Sequence, residues 1–318
     1  MTSTGGVTVV VPHYGDAGPT LEVLAALAPQ TTRRPVQLVV VDDHSPTPFP
    51  EVEGVEVVRR ERNGGFGAAV NTGAARARHP LLLVLNSDTV PAPSFLEDLV
   101  SAAEPWMPAV AGPLLLQGDG SPGWGARHFP TAGHQVVEWL TPLARFRHHR
   151  LLHEAVGHDT RAVAGAVLPV DWVVGAALLL PTEMFHAAGG FDEGYFMNAE
   201  EVDLQRRVRA RGVPSVFIGT VPLTHVGGGS SDSERRRAWL VRARVRYATV
   251  WGGRTRLVTA LALATAVNAV ANTARRAAGR EVRPFATARF ELDLIRDAVR
   301  ASPVSSGTST AASGRDAR

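Results

Sequence analysis

Cysteine is absent from the 318 residues, which excludes disulfides, zinc–thiolate sites and thiol nucleophiles. Lysine is absent too: all 33 basic residues are arginine. That excludes a Walker lysine and Schiff-base catalysis, and the bias itself reads as GC-rich coding. The chain opens Met1-Thr2-Ser3-Thr4-Gly5-Gly6 and runs straight into a short apolar strand. It has neither the basic start nor the long apolar segment of a signal peptide, so a cytoplasmic location is expected. The most apolar stretch, 257–271, is interrupted by Thr259, Thr265 and Asn268 and is too short and too polar for a membrane span. It reads as a core or packing helix, with a helix lying on a membrane or pairing with another subunit as the alternative.

What is present is 45% apolar content, enough for one large domain or two small ones. The net charge of +3 conceals an asymmetry. Residues 231–300 hold 15 arginines against 6 acids, whereas residues 1–230 hold 16 against 23. An acidic body followed by a basic segment predicts a surface that meets something anionic.

Largely apolar runs at 7–11, 36–41, 55–58 and 81–85 read as buried strands, that at 7–11 β-branched, uninterrupted and fully buried. Helices are expected from Thr20 as cap to about residue 28, from the glycines at 64–67 to about 78, and from Ser94 as cap to about 103. This alternation predicts an α/β fold with a mostly parallel sheet covered on both faces. Residues 117–170 are looser and carry a basic cluster at 145–150. A strand with a close-packed turn at Gly175 follows over 170–180. Then come a helix over 200–211, a short strand at 216–218, and helices over 235–251 and 255–278. The Ser/Thr/Gly-rich end, 301–318, reads as disordered.

Ligands on an open parallel sheet bind at the carboxyl ends of its strands. Acids stand at three such ends. Asp42 and Asp43 follow one strand, where they suit either a ribose or base N–H or a turn. Asn86-Ser87-Asp88-Thr89 follows another, where Asp88 suits a divalent cation shared with a diphosphate. Glu200-Glu201-Val202-Asp203 opens a helix. Glu201 shares a stripe with Leu204 and Val208 and is expected to point inward, whereas Asp203 falls beside Arg206 and Arg207 and is expected in solvent. The glycines from Gly64 to Gly67 would let backbone N–H groups approach a diphosphate. His225, beside a glycine run, is a candidate metal ligand.

In order, these segments resemble the family 2 glycosyltransferases of GT-A fold, and within them the bacterial rhamnosyltransferase-like subgroup. The matching residues are Val9-Val10-Val11-Pro12-His13-Tyr14, Val39-Val40-Val41-Asp42-Asp43-His44-Ser45, Asn63-Gly64-Gly65-Phe66-Gly67-Ala68-Ala69-Val70-Asn71, Leu85-Asn86-Ser87-Asp88-Thr89, Asp171-Trp172-Val173-Val174-Gly175-Ala176, Gly189-Gly190-Phe191-Asp192-Glu193, Phe196 through Leu204, and His225. They span residues 7–230.

The resemblance implies a GT-A domain over 1–230, with a nucleotide-sugar half (1–115) and an acceptor half (116–230), followed by a helical segment over 231–300. It implies that Asp42 and Asp43 hold the base and ribose, and that Pro12, Tyr14, Gly65, Asn71, Asn86 and Glu200 also contact substrate. Asp88 and His225 would bind Mg²⁺ or Mn²⁺. Trp172 and Asp192 would shape the sugar and acceptor site. Glu201 would be the catalytic base, a departure from the aspartate usual at that position. Asn86 replaces the first acid of the metal motif. The expected reaction is inverting transfer from a dTDP- or UDP-sugar, rhamnose being the suggested sugar, to a glycan or polyprenyl-diphosphate-linked acceptor. Peripheral contact with the inner face of the cell membrane and homo-oligomerisation are further expectations; nucleic acid is not. A non-catalytic sugar-nucleotide-binding protein and an NAD-dependent dehydrogenase are the alternatives.

Overall fold

The computed structural model describes residues 5–146, 149–227 and 233–302. In chain order the elements are β1 (Val7–His13), α1 (Ala17–Leu27), β2 (Val36–Asp42), β3 (Val55–Arg59), α2 (Phe66–Ala74), β4 (Leu81–Leu85), β5 (Thr89–Val90) and α3 (Phe95–Ala103). They continue as β6 (Val110–Leu116), β7 (Ala126–Arg127), α4 (Ala132–Trp139), α5 (Arg150–Ala155), β8 (Val167–Val170), β9 (Trp172–Val173) and β10 (Ala177–Pro181). The last are α6 (Thr182–Ala187), α7 (Glu200–Arg209), β11 (Ser215–His225), α8 (Ser233–Val250), α9 (Arg254–Ala277) and α10 (Pro284–Ala301).

The main sheet runs β3-β2-β1-β4-β10-β6-β11-β5, with β8 also paired to β11. The first four strands are parallel, with Val7 opposite both Val36 and Leu81. The apolar sequences of β1 and β4 follow from burial on both faces, whereas β3, expected to be buried, is a half-buried edge strand that carries Glu56. Val9, Val11, Leu83 and Leu85 pack against α1 and α3, whereas Val10, Leu82 and Val84 pack against α2, α6 and α7. β10 inserts antiparallel between β4 and β6, and β5 and β8 are antiparallel on β11. The sheet is therefore mixed, with its parallel block at the N-terminal side.

Several boundaries differ from expectation for physical reasons. Asp16, not Thr20, caps α1 by accepting from Gly18 N at 3.2 Å; the Thr20 hydroxyl lies 2.8 Å from His13 Nδ1 inside the fold. Helix α2 stops at Ala74, well short of residue 78. The stretch 170–180 divides into β8, β9 and β10 around the Gly175 bend. Strand β11 is far longer than 216–218, because it shifts register between Ile218 and Pro222 and then continues to His225. A third C-terminal helix, α10, was not anticipated. Part of the basic cluster, at 147–148, and the terminal residues from 303 onward lie outside the described residues.

Helices α8, α9 and α10 share an apolar core with α4, built on Trp139, Val241, Val245, Leu257, Leu261 and Ile295. The helical segment is thereby joined to residues 116–230 through α4. Between them lies a cavity of about 230 Å³, lined by residues of β7, α4, α7 and α8.

Candidate active site

The end of β2 is a dense carboxylate turn. Asp42 is fully buried and accepts from Ser45 N (2.7 Å), Phe49 N (3.1 Å) and the Arg59 guanidinium. Burial pushes its pKa up, but these hydrogen bonds, led by Ser45, outweigh that and hold it below the usual range. Asp42 therefore anchors the turn. Asp43 accepts from Gly64 N (3.0 Å), Gly65 N (2.7 Å) and Arg60. The glycine amides expected to face a diphosphate thus donate to a protein carboxylate. Gly65 has φ +87°, and a Cβ there would stand 1.9 Å from the Phe196 carbonyl oxygen. That contact brings the glycine loop against the segment leading into α7.

β4 is followed by Asn86, whose N–H donates to Ala176 O at 2.9 Å. Pairing of β5 with the end of β11 sets Thr89 opposite His225. The result is a corner in which His225 Nε2 lies 3.0 Å from Asp88 Oδ1 and 3.3 Å from Asn86 Nδ2. Asp88 and His225 are each about three-tenths exposed, while Asn86 Oδ1 is a buried oxygen without a hydrogen-bond partner. Among the described residues no group of three or more His, Asp or Glu side chains forms a complete cage. A carboxylate and an imidazole that are part-exposed, beside a buried, unsatisfied amide oxygen, do fit an ion that keeps waters or takes substrate phosphates, as Mg²⁺ and Mn²⁺ do.

Helix α7 opens from two consecutive non-glycine residues in the left-handed region, Asn198 (φ 71°) and Ala199 (φ 67°). Strain of this kind persists where the surroundings fix it, and it clusters at functional sites. It sends the two glutamates different ways. A Cβ on Gly67 would stand 3.7 Å from Glu200 Cβ, so Glu200 sits under the first turn of α2, buried. Glu201 packs on Gly175, at 3.5 Å by the same measure, and lines the cavity with Arg127, His128, Trp172 and Tyr247. Burial, and then the charge of Glu201, push Glu200 well above the ordinary carboxylate range. Burial also raises Glu201, opposed by backbone N–H groups and by the Arg127 charge. Burial raises both carboxyls of this coupled pair, and Arg127 is the charge that opposes the rise at Glu201.

A scan against family models matches residues 8–166 to "Glycosyl transferase family 2". The chain belongs to glycosyl transferase family 2. It is 30% identical over 233 residues to the N-acetylglucosaminyl-diphospho-decaprenol L-rhamnosyltransferase of Mycobacterium tuberculosis, covering 65% of this chain and 72% of that one. It is 25% identical over 126 residues to rhamnosyltransferase WbbL of Escherichia coli, covering 39% and 44%. Among solved structures, GalNAc-T7 with UDP, GalNAc and Mn²⁺ superposes with a TM-score of 0.59 at 16% identity, over 83% of this chain. The chain spans about half the length of that structure, 51%. Together these show a glycosyltransferase with the expected GT-A-type fold, and they set aside the dehydrogenase alternative.

Within this family 2 fold the remaining anticipated residues have definite places. Pro12 is half-buried and Tyr14 is 50% exposed at the end of β1. Asn71 clamps the Gly190-Phe191 turn, exchanging hydrogen bonds with Phe191 N (2.8 Å) and O (2.9 Å). Trp172 is buried and donates to His128 O at 2.9 Å. Asp192 is paired with Arg246 of α8 at 2.7 Å. Asp203, expected in solvent, is buried: it accepts from Trp251 Nε1 and pairs with Arg207, both at 2.8 Å. The turn after α8 covers that side of α7, which a helical stripe alone does not reveal. Arg127, His128 and His134 line the cavity without having been singled out from the sequence, and Arg244, expected only as part of a basic surface, lines it with them. They sit in loose or basic segments without a motif.

Proposed function

We propose that this glycosyltransferase moves a sugar, rhamnose in the first instance, from a dTDP- or UDP-sugar to a hydroxyl of a polyprenyl-diphosphate-linked glycan, with inversion. The names of the relatives support the sugar and the acceptor class. The observation that carries the mechanism is a shared backbone step. Gly175 packs on Glu201, and the next residue, Ala176, receives the Asn86 N–H. The acid and the Asp88–His225 corner therefore lie at the two ends of one short segment.

In this reading the acceptor hydroxyl enters the cavity and gives its proton to Glu201. Its oxygen bonds to the anomeric carbon as the bond from that carbon to the diphosphate oxygen breaks. The diphosphate leaves with the electron pair, and one displacement inverts the centre. The Arg127 charge favours the ionised form of Glu201 against the effect of burial. Asp88 and His225 would hold Mg²⁺ or Mn²⁺, whose chemistry when bound is charge neutralisation on the leaving diphosphate. Asp43, Gly65 and Tyr14 would border the nucleotide. Such an acceptor places the enzyme at the inner face of the cell membrane.

The test is a thermal-shift panel of nucleoside diphosphates and their sugars, with and without Mn²⁺ or Mg²⁺. Saturating ligand at 100 times Kd adds about 2.7 kcal/mol of apparent stability. The expected result is a metal-enhanced shift for one diphosphate series, lost in Asp88→Ala. An unchanged metal dependence in that variant contradicts the ion assignment.

A further inference from the structure

The basic C-terminal segment divides into engaged and free arginines. Arg237 pairs with buried Glu291 at 2.7 Å, Arg246 pairs with Asp192, and Arg244 pairs with Glu138. These three hold the helices to each other and to the catalytic body. By contrast, Arg256, Arg276, Arg280 and Arg283 are exposed, and among the described residues they carry no ion pair. Arg256 and Arg276 stand in the first and last turns of α9, a helix without a single Asp or Glu, and Arg280 and Arg283 follow it.

The outer side of α9 is apolar. Leu263 (65% exposed), Val267 (53%) and Val270 (73%) recur at i, i+4 and i+7, with Ala266 and Ala274 exposed on the same face. Phe285, 81% exposed, stands at the start of α10 just past Arg283. The opposite side of α9 is fastened inside. Thr265 Oγ accepts from Trp139 Nε1 (2.9 Å), and Asn268 bonds to Trp139 O (3.0 Å) and Thr141 N (2.9 Å) and lies 3.3 Å from Glu291.

Resting on the lipid-linked acceptor reading above, we infer that the Leu263–Val267–Val270 face of α9, with its flanking arginines, docks this enzyme onto an anionic phospholipid surface. Although α9, at 24 residues longer than the 257–271 stretch read as too short, has the length and composition of a membrane span, its inner side carries polar groups bonded to the protein. Drawing it into lipid would leave them unsatisfied. The helix therefore lies in the interface plane, apolar side chains toward the acyl boundary and arginines toward headgroup phosphates. A second copy is the poorer occupant. Pairing two α9 faces in either direction sets arginines against arginines, and the α10 acids Asp293 and Asp297 are already answered by Arg289, Arg296 and Arg300. A docked α9 also brings α8, which contributes Leu240, Ala243 and Arg244 to the cavity wall, close to the surface that carries the acceptor.

The test is flotation of the full chain with vesicles of phosphatidylcholine alone or mixed with phosphatidylglycerol, at low and high salt. Wild type is expected to float with the mixed vesicles at low salt only. Val267→Asp and the double variant Arg276→Gln/Arg280→Gln should each lower binding about tenfold or more, with unchanged melting temperature and unchanged transfer to a water-soluble acceptor. No flotation of wild type at low salt overturns the proposal. So does flotation of Val267→Asp at the wild-type level. A wild-type dimer that Val267→Asp dissociates, without vesicle binding, also overturns it and assigns the face to self-association. Expected flotation without any sugar transfer leaves the docking standing and removes the acceptor reading instead.

Discussion

Gly65→Ala tests how the glycine loop meets the α7 segment. Gly65 has φ +87° and ψ 178°, a region occupied almost only by glycine, where another residue costs about 1–3 kcal/mol. The new Cβ would stand 1.9 Å from Phe196 O, against the 3.4 Å at which ordinary contact begins. That oxygen cannot swing freely, because it accepts Phe66 N–H at 3.2 Å. Relieving the overlap by shifting backbone costs a further 1–3 kcal/mol or so. The sum, about 2–6 kcal/mol, is a large part of a typical folding free energy. The Asp43–Gly65 hydrogen bond should break with it. Gly120→Ala is the control, since Gly120 also has positive φ (+80°) but nothing within 4 Å, so only about 1 kcal/mol is expected. Denaturant unfolding of both variants isolates the Phe196 contact. Calorimetric titration with the nucleoside diphosphate should show at least a tenfold affinity loss for Gly65→Ala alone. If the two variants unfold alike and bind nucleotide like wild type, the loop is not held as described.

Two further substitutions probe buried charge. Glu200→Gln should stabilise the protein increasingly as pH rises from the ordinary glutamate value of about 4.3. The native pKa lies above the unfolded one, so the wild-type contribution is full at low pH and declines toward the native pKa. Melting curves of variant and wild type that run parallel across that range would refute the assignment, and transfer should survive the change. Arg237→Ala should cost about 2–4 kcal/mol, less than a fully buried pair because Arg237 is partly exposed, since it leaves Glu291 buried with Asn268 as its remaining partner. Adding Glu291→Gln should recover much of the loss in chemical denaturation, and no recovery would contradict the orphaned-charge explanation.

The parts of this fold that local pattern controls were legible in the sequence. The apolar runs at β1, β2 and β4 must be buried on both faces, and that requirement alone predicts a parallel block. Gly65 and the acids ending β2 and β4 were found because a strand end is where a ligand can approach. What stayed hidden depends on distant chain. Asp203 reads as a solvent residue beside arginines until Trp251, far along the sequence, covers it. The six arginines of α8 look like one basic patch until Glu138, Asp192 and Glu291 draw half of them inward. The cavity wall from Arg127 to His134 has no motif, because its residues meet Glu201 through the pairing of β7 with β9 and the packing of α4 against the C-terminal helices.

The central claim is that Glu201 is the base of a direct displacement and contributes little to donor binding. Glu201→Gln, with donor affinity measured by titration and transfer followed by product formation, tests it most directly. The account predicts a donor Kd within about twofold of wild type and a turnover lowered by about 10²–10⁴. Turnover within tenfold of wild type, with the fold and donor affinity intact, would contradict it.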